Sequence, residues 1–219
     1  MADKTFFDNL KRSFRDVTIT ETNEINTAEF LEAAESLAGL FDILGTTAFA
    51  VPKNDMHQNI TKVRTFHLTA PTQTSTLQSL VAHELSTSSH TATQGLLWLT
   101  RTLTFTKLAM RNTLSSNADF DAAVASGATA GKPKQELADS FRAAYKDSLA
   151  KYHNFMVKGL FKVAMNAVPY RETFVENLAQ GGDKLKVKAQ LEEWLTGMER
   201  VAGILEPWIE GVKWPGRTD

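Results

Sequence analysis

The sequence predicts an all-α fold, two packed layers of helices around one core, and three observations carry that reading. Apolar residues recur at three- and four-residue spacing over most of the 219 residues. The single candidate strand, Val17-Thr18-Ile19-Thr20, is too short to build a sheet. Hydrophobic residues make up 42% of the chain, enough for a core that two helical layers share.

The elements follow in order. Asn26-Thr27-Ala28-Glu29 resembles a capping box. Behind it, Phe30, Leu31, Ala34, Leu37, Ala38, Phe41 and Leu44 form an apolar stripe, and Gly45 suits the end of that helix. Further helices are predicted over about 54–66, 75–85 and 93–111. The stretch from about 113 to 133, rich in Ala, Ser and Gly, is expected to be a flexible insertion. A long helix is predicted over 135–165, a short one between Pro169 and Gly181, and a last one from Leu185 to Leu205, ending near Pro207. No linker divides the core segments, so one domain over 1–219 is expected.

Composition narrows the function. Lys plus Arg total 24 and Asp plus Glu 25, a balance that argues against a nucleic-acid partner. There is no cysteine, hence no disulfide framework and no thiolate zinc site. Neither a signal-peptide core nor a run of about 18 apolar residues is visible, so a cytoplasmic, soluble chain is expected. The G-x-S-x-G elbow, the phosphate-binding glycine loop and H-E-x-x-H are missing, and the five histidines lack metal-ligand spacing. No enzymatic activity, cofactor or metal is therefore expected.

Three features stand out. Asp55, Asn59 and Lys62 share one helical face, because i, i+4 and i+7 lie within about 60° of one another. They offer an acceptor, an amide with both roles and a cationic donor, which suits a polyhydroxylated ligand. A solvated helix face would look the same. Trp98 lies in a very apolar helix, where it is either a core residue or a platform for a sugar ring. His153 is expected to share a helical face with Leu149, Met156 and Val157. It is either a satisfied core histidine or a neutral donor at a cavity mouth.

Together these features resemble the glycolipid transfer proteins, and within them the fungal heterokaryon-incompatibility type. The resembling stretches are FLEAAESLAGLFDILGTTAFAVPKNDMHQNITKVR, GLLWLTRTLTF and LAKYHNFMVKGLFKVAMNAVPYRETF, in family order. The resemblance implies a two-layer helical sandwich that opens to take lipid chains, and a carrier that moves glycosphingolipids between membranes. It assigns sugar recognition to Asp55, Asn59, Lys62 and Trp98. The ceramide amide falls to Asp55 and His153, and the chain cavity to Phe41, Phe105, Leu149 and Phe161. Phe155 stands where animal members carry Trp, at a site expected to touch the membrane or tune selectivity. Trp208 and Trp214 are further candidates for the membrane-facing surface, with core packing the plainer expectation for Trp208. The implied partners are a glycosphingolipid and, transiently, a membrane surface, met by a monomer. A carrier of ceramide 1-phosphate is the rival, kept open by Lys62 and Arg101. A glycolipid sensor without a transport role is another.

Overall fold

The structure is a computed structural model that describes residues 4–44, 47–125 and 136–218, without the side chains of 116–125. Its helices are α1 (Thr27–Ile43), α2 (Ala50–Thr69), α3 (Leu77–Leu85), α4 (Thr91–Ala125), α5 (Leu137–Asp147), α6 (Phe155–Asn166), α7 (Arg171–Ala179) and α8 (Lys184–Gly211). Among the described residues, extended pairing is limited to isolated bridges, Ile19 with Ile25 and Asn26 with Thr76. The arrangement is the all-α two-layer sandwich, in which α4 packs against α2, α5 and α8.

Local chemistry explains the helix starts. The Asn26 side chain accepts from Glu29 N at 3.0 Å. The Glu29 carboxylate does not return to Asn26; it accepts from Thr18 N at 2.6 Å and ties the N-terminal segment to α1. A complete capping box instead begins α3, where Thr76 and Ser79 bond each other's backbone N–H. The corner from α3 to α4 is held by Glu84, 1% exposed. Its carboxylate accepts from Ala92 N at 2.8 Å, Thr93 N at 2.6 Å and Thr93 Oγ1 at 2.6 Å. A carboxylate at a helix N-terminus satisfies orphan donors and complements the dipole.

The N-terminal segment completes the core. Phe14 packs its ring 6.5 Å from Phe30 and 6.0 Å from Trp194, and all three are buried. It crosses α8 at Gly197, where an added Cβ would lie 2.3 Å from Arg15 N. Only glycine admits that approach.

Four expectations are corrected. Helix α4 continues through Ala125, with Leu114, Ala118, Ala122, Ala123 and Ala125 offsetting the weaker helix formers Ser115, Ser116, Asn117, Asp119 and Asp121, so the segment from 113 to 125 is helix. The rest of the expected insertion, and Gly45, lie outside the described residues. The helix predicted over 135–165 is two helices. Ser148 leaves helical geometry at φ −123°, ψ −81°, a 3-10 turn covers Leu149–Lys151, and Asn154 caps α6 by accepting from Val157 N at 3.0 Å. His153 consequently sits in a bend and not on a helical face. Finally, α8 runs through Pro207 to Gly211. Proline forfeits one helical bond. The turn survives because Lys107 holds Glu206 at 2.9 Å, Arg101 holds Glu210 at 2.9 Å, and Ile209 is fully buried.

Candidate functional site

The polar row on α2 is built as a relay. Lys62 Nζ donates to Asn59 Oδ1 at 2.9 Å, and Asn59 Nδ2 donates to Asp55 Oδ2 at 3.1 Å. Asn59 is 2% exposed, fixed between its neighbours. Asp55 still meets solvent, but it stands at the wall of an apolar cavity. That shielding raises its carboxyl above the usual carboxylate value, against the opposing pull of Lys62 and the Asn59 bond. An acceptor held this way gains from further N–H or O–H donors. Helix α4 passes close by, since a Cβ on Gly95 would lie 3.1 Å from Asn59 O and 3.2 Å from Lys62 Cβ.

Opposite the row stands an aromatic group. Trp98 and His153 are stacked, with ring centroids 5.8 Å apart and planes 19° apart. Tyr152 meets Trp98 edge-on at 6.4 Å. The Tyr145 hydroxyl lies 3.1 Å from His153 Nδ1. Burial, then the charges of Lys158 and Arg101, push His153 down to about 4. Its imidazole is therefore neutral at pH 7, with one N–H to donate.

Both groups open onto one cavity of about 570 Å³, within the range of small-molecule sites. Asp55, Trp98 and His153 line it together with Phe41, Phe105, Leu149 and Phe161. Seven residues singled out in the sequence thus converge on one hollow. Asn59 and Lys62 stand behind it: Asn59 supports Asp55, and Lys62 lines a second hollow with His90, Gln94 and Trp214. Sequence reasoning missed Tyr145, Tyr152, Phe49 and Val51 as neighbours of this site. Tyr145 reaches His153 only because the chain bends between them, and no helical spacing predicts that.

Helix α6 exposes Phe155 at 93%, Met156 at 76% and Val163 at 62%. The expectation that Trp214 faces a membrane is corrected. It is 8% exposed, covered in part by the Arg217 guanidinium 5.2 Å from its ring. Trp208 is half-buried and packs on the core. Among the described residues no helix is long and apolar enough to cross a membrane.

Comparison with known proteins shows the family. The sequence profile of the glycolipid transfer protein family matches residues 25–180. A protein named glycolipid transfer protein from Aureobasidium melanogenum is 44% identical over 212 residues, covering 96% of each chain. The crystal structure of HET-C2, described as a fungal glycolipid transfer protein, superposes with a TM-score of 0.82 at 44% identity, over 96% of this chain and all of that one. A structure reported under the words "How FAPP2 Selects Simple Glycosphingolipids Using the GLTP-fold" superposes at 0.77 with 28% identity, over 94% and 95% of the two chains. The pleckstrin homology domain-containing family A member 8 of Danio rerio is 32% identical over 94% of this chain, which spans only 34% of that protein. The chain belongs to the glycolipid transfer protein family, whose members are lipid carriers and not enzymes.

Proposed function

We propose that this chain binds glycosylceramides and carries them between membranes. The observation that carries the reading is the convergence of Asp55, Trp98 and His153 on the same cavity as Phe41, Phe105, Leu149 and Phe161. The sugar lies over Trp98, with its hydroxyls held by Asp55 and Lys62 and with Asn59 bonded to both to fix them in place. The ceramide amide N–H donates to Asp55, and its carbonyl accepts from the neutral His153. The acyl and sphingoid chains fill the apolar cavity, where each sheltered CH₂ contributes about 0.8 kcal/mol. Chain burial is indifferent to the head group. Selection comes from the polar row, because an unmatched ligand leaves buried polar atoms unpaired. No bond is made or broken, so lipid moves down its chemical potential gradient without a cofactor.

The chain works as one domain and as a monomer in the cytoplasm, meeting membranes transiently through α6 with Phe155 inserted. The rival phosphate reading needs unpaired cations, and Arg101 is already held by Glu210 at 2.9 Å. Vesicle transfer of fluorescent lipids tests the function. Glucosyl- or galactosylceramide should move, and phosphatidylcholine should move far more slowly. Equal rates for the two would defeat the sugar-selective reading.

A further inference from the structure

The geometry points to Glu210 as the residue that sets head-group charge selectivity, by offsetting the charge of a guanidinium buried beside Trp98. The inference rests on the head-group reading above and extends it to a residue outside the cavity. Arg101 follows Trp98 by one helical turn and is 4% exposed. Its guanidinium carbon lies 4.9 Å from the indole centroid and 3.4 Å from the Tyr152 ring centroid. Such a cation, left alone, would favour an anionic head group.

Glu210 answers it from α8, 109 residues away in sequence. Its carboxylate accepts from Arg101 Nε at 2.9 Å, from Arg101 NH2 at 3.3 Å and from the Tyr152 hydroxyl at 2.9 Å. Arg217 donates to the same carboxylate, and also to the backbone oxygens of Glu210 and Val212 at 2.9 and 2.7 Å. Burial opposes ionisation of this carboxyl, but the bonds from Arg101 and Tyr152 hold it below the usual carboxylate value. The group is therefore an anion at neutral pH, shared between two guanidinium groups.

Arg101 is coupled to the cavity through Trp98, which lines it and has the guanidinium 4.9 Å from its ring centroid. Glu210 offsets part of the guanidinium charge, and a neutral sugar is indifferent to what remains. A phosphate is not. Removing the carboxylate uncovers one further positive charge beside the indole, and a phosphorylated head group then finds the counter-charge that a sugar does not need.

Ceramide 1-phosphate and glucosylceramide with identical chains are the probes, because the chain contribution cancels in their affinity ratio. Glu210→Gln keeps the shape and removes the charge. It should raise the ceramide 1-phosphate to glucosylceramide ratio at least tenfold at low salt, with a smaller rise at high salt. Arg101→Gln should move the ratio the other way. A purely structural pair would weaken both lipids alike in both variants, and a ratio fixed in both would overturn the assignment. Thermal melting checks folding. If Glu210→Gln does not fold, Arg101→Gln decides alone: a lower ratio supports the assignment, and an unchanged or higher one overturns it. A wild-type chain that fails to bind glucosylceramide would overturn the functional reading itself. A fixed ratio in a chain that does bind it counts against Glu210 alone.

Discussion

Helix α8 buries ten residues along its length, whereas α6 buries only Ala164 and Met165. Along α8, Leu191, Trp194, Leu195, Met198, Val201 and Leu205 close against the N-terminal segment and α4. Along α6, Phe155, Met156, Leu160 and Val163 remain open to solvent. Apolar surface left in water forgoes about 25 cal/mol per Å². In α8 that surface stabilises the fold. In α6 part of it lines the cavity, through Leu160, Phe161 and Val163, and part stays in solvent, through Phe155 and Met156, which lie in sequence between the cavity-lining Asn154 and Val157. One helix spends its apolar face on folding, and the other leaves it open, where the proposed lipid and membrane contacts would cover it.

Three experiments sharpen this contrast, from the largest effect to the smallest. Trp194→Ala removes a buried ring that Phe7 and Phe14 pack against at 6.0 Å. It should cost about 3–5 kcal/mol of stability in a denaturant titration. Phe155→Ala should leave the melting temperature nearly unchanged, since the ring is 93% exposed. Vesicle adsorption should instead fall roughly tenfold or more, because an interfacial Phe contributes about 1.5–3 kcal/mol. A large loss of stability with normal adsorption would reverse the roles assigned to the two helices.

The third concerns the hinge between α5 and α6. His153 is depressed in the folded chain from 6.5 to about 4, so both states are neutral above pH 6.5. Between these values the unfolded chain takes up a proton that the folded chain refuses. Stability therefore falls as pH falls, by about 1–3 kcal/mol at pH 4 once solvent screening is allowed for. Thermal melts across this range should show the loss, and His153→Gln should remove that part of the slope. An equal slope in the variant would deny that this imidazole is kept neutral.

Much of the architecture was legible because helical periodicity and capping chemistry are local. The stripe from Phe30 to Leu44, the turn residues around α7 and the row Asp55, Asn59, Lys62 follow from spacing alone. The break inside 135–165 did not, because Leu149, Tyr152 and Met156 continue a helical rhythm across it. The break is made by Ser148, whose hydroxyl bonds Ala144 O at 2.5 Å, and by the Asn154 cap. An Asn three residues before Val157 was the available signal. Pairings that cross between elements were not legible at all, whether distant in sequence, as with Arg101 and Glu210, or close, as with Tyr145 across the bend from His153. These depend on packing, which periodicity does not encode.

Asp55 is proposed to hold the ligand at the junction of head group and ceramide. Asp55→Asn keeps the size and removes the charged acceptor, worth about 1.5–3 kcal/mol for such a bond. Glucosylceramide binding by a folded Asp55→Asn protein should fall by roughly 10- to 150-fold. Lys62→Ala should cost less, because Lys62 stands behind the cavity, where the proposed pose brings only outer hydroxyls near it. Were the row merely a solvated helix face, either change would shift binding little, since exposed pairs contribute at most about 1 kcal/mol. Measured glucosylceramide transfer by Asp55→Asn, in protein that melts normally, decides between these outcomes. A severe loss is expected if Asp55 holds the ligand, and transfer at near wild-type rate would show that it does not.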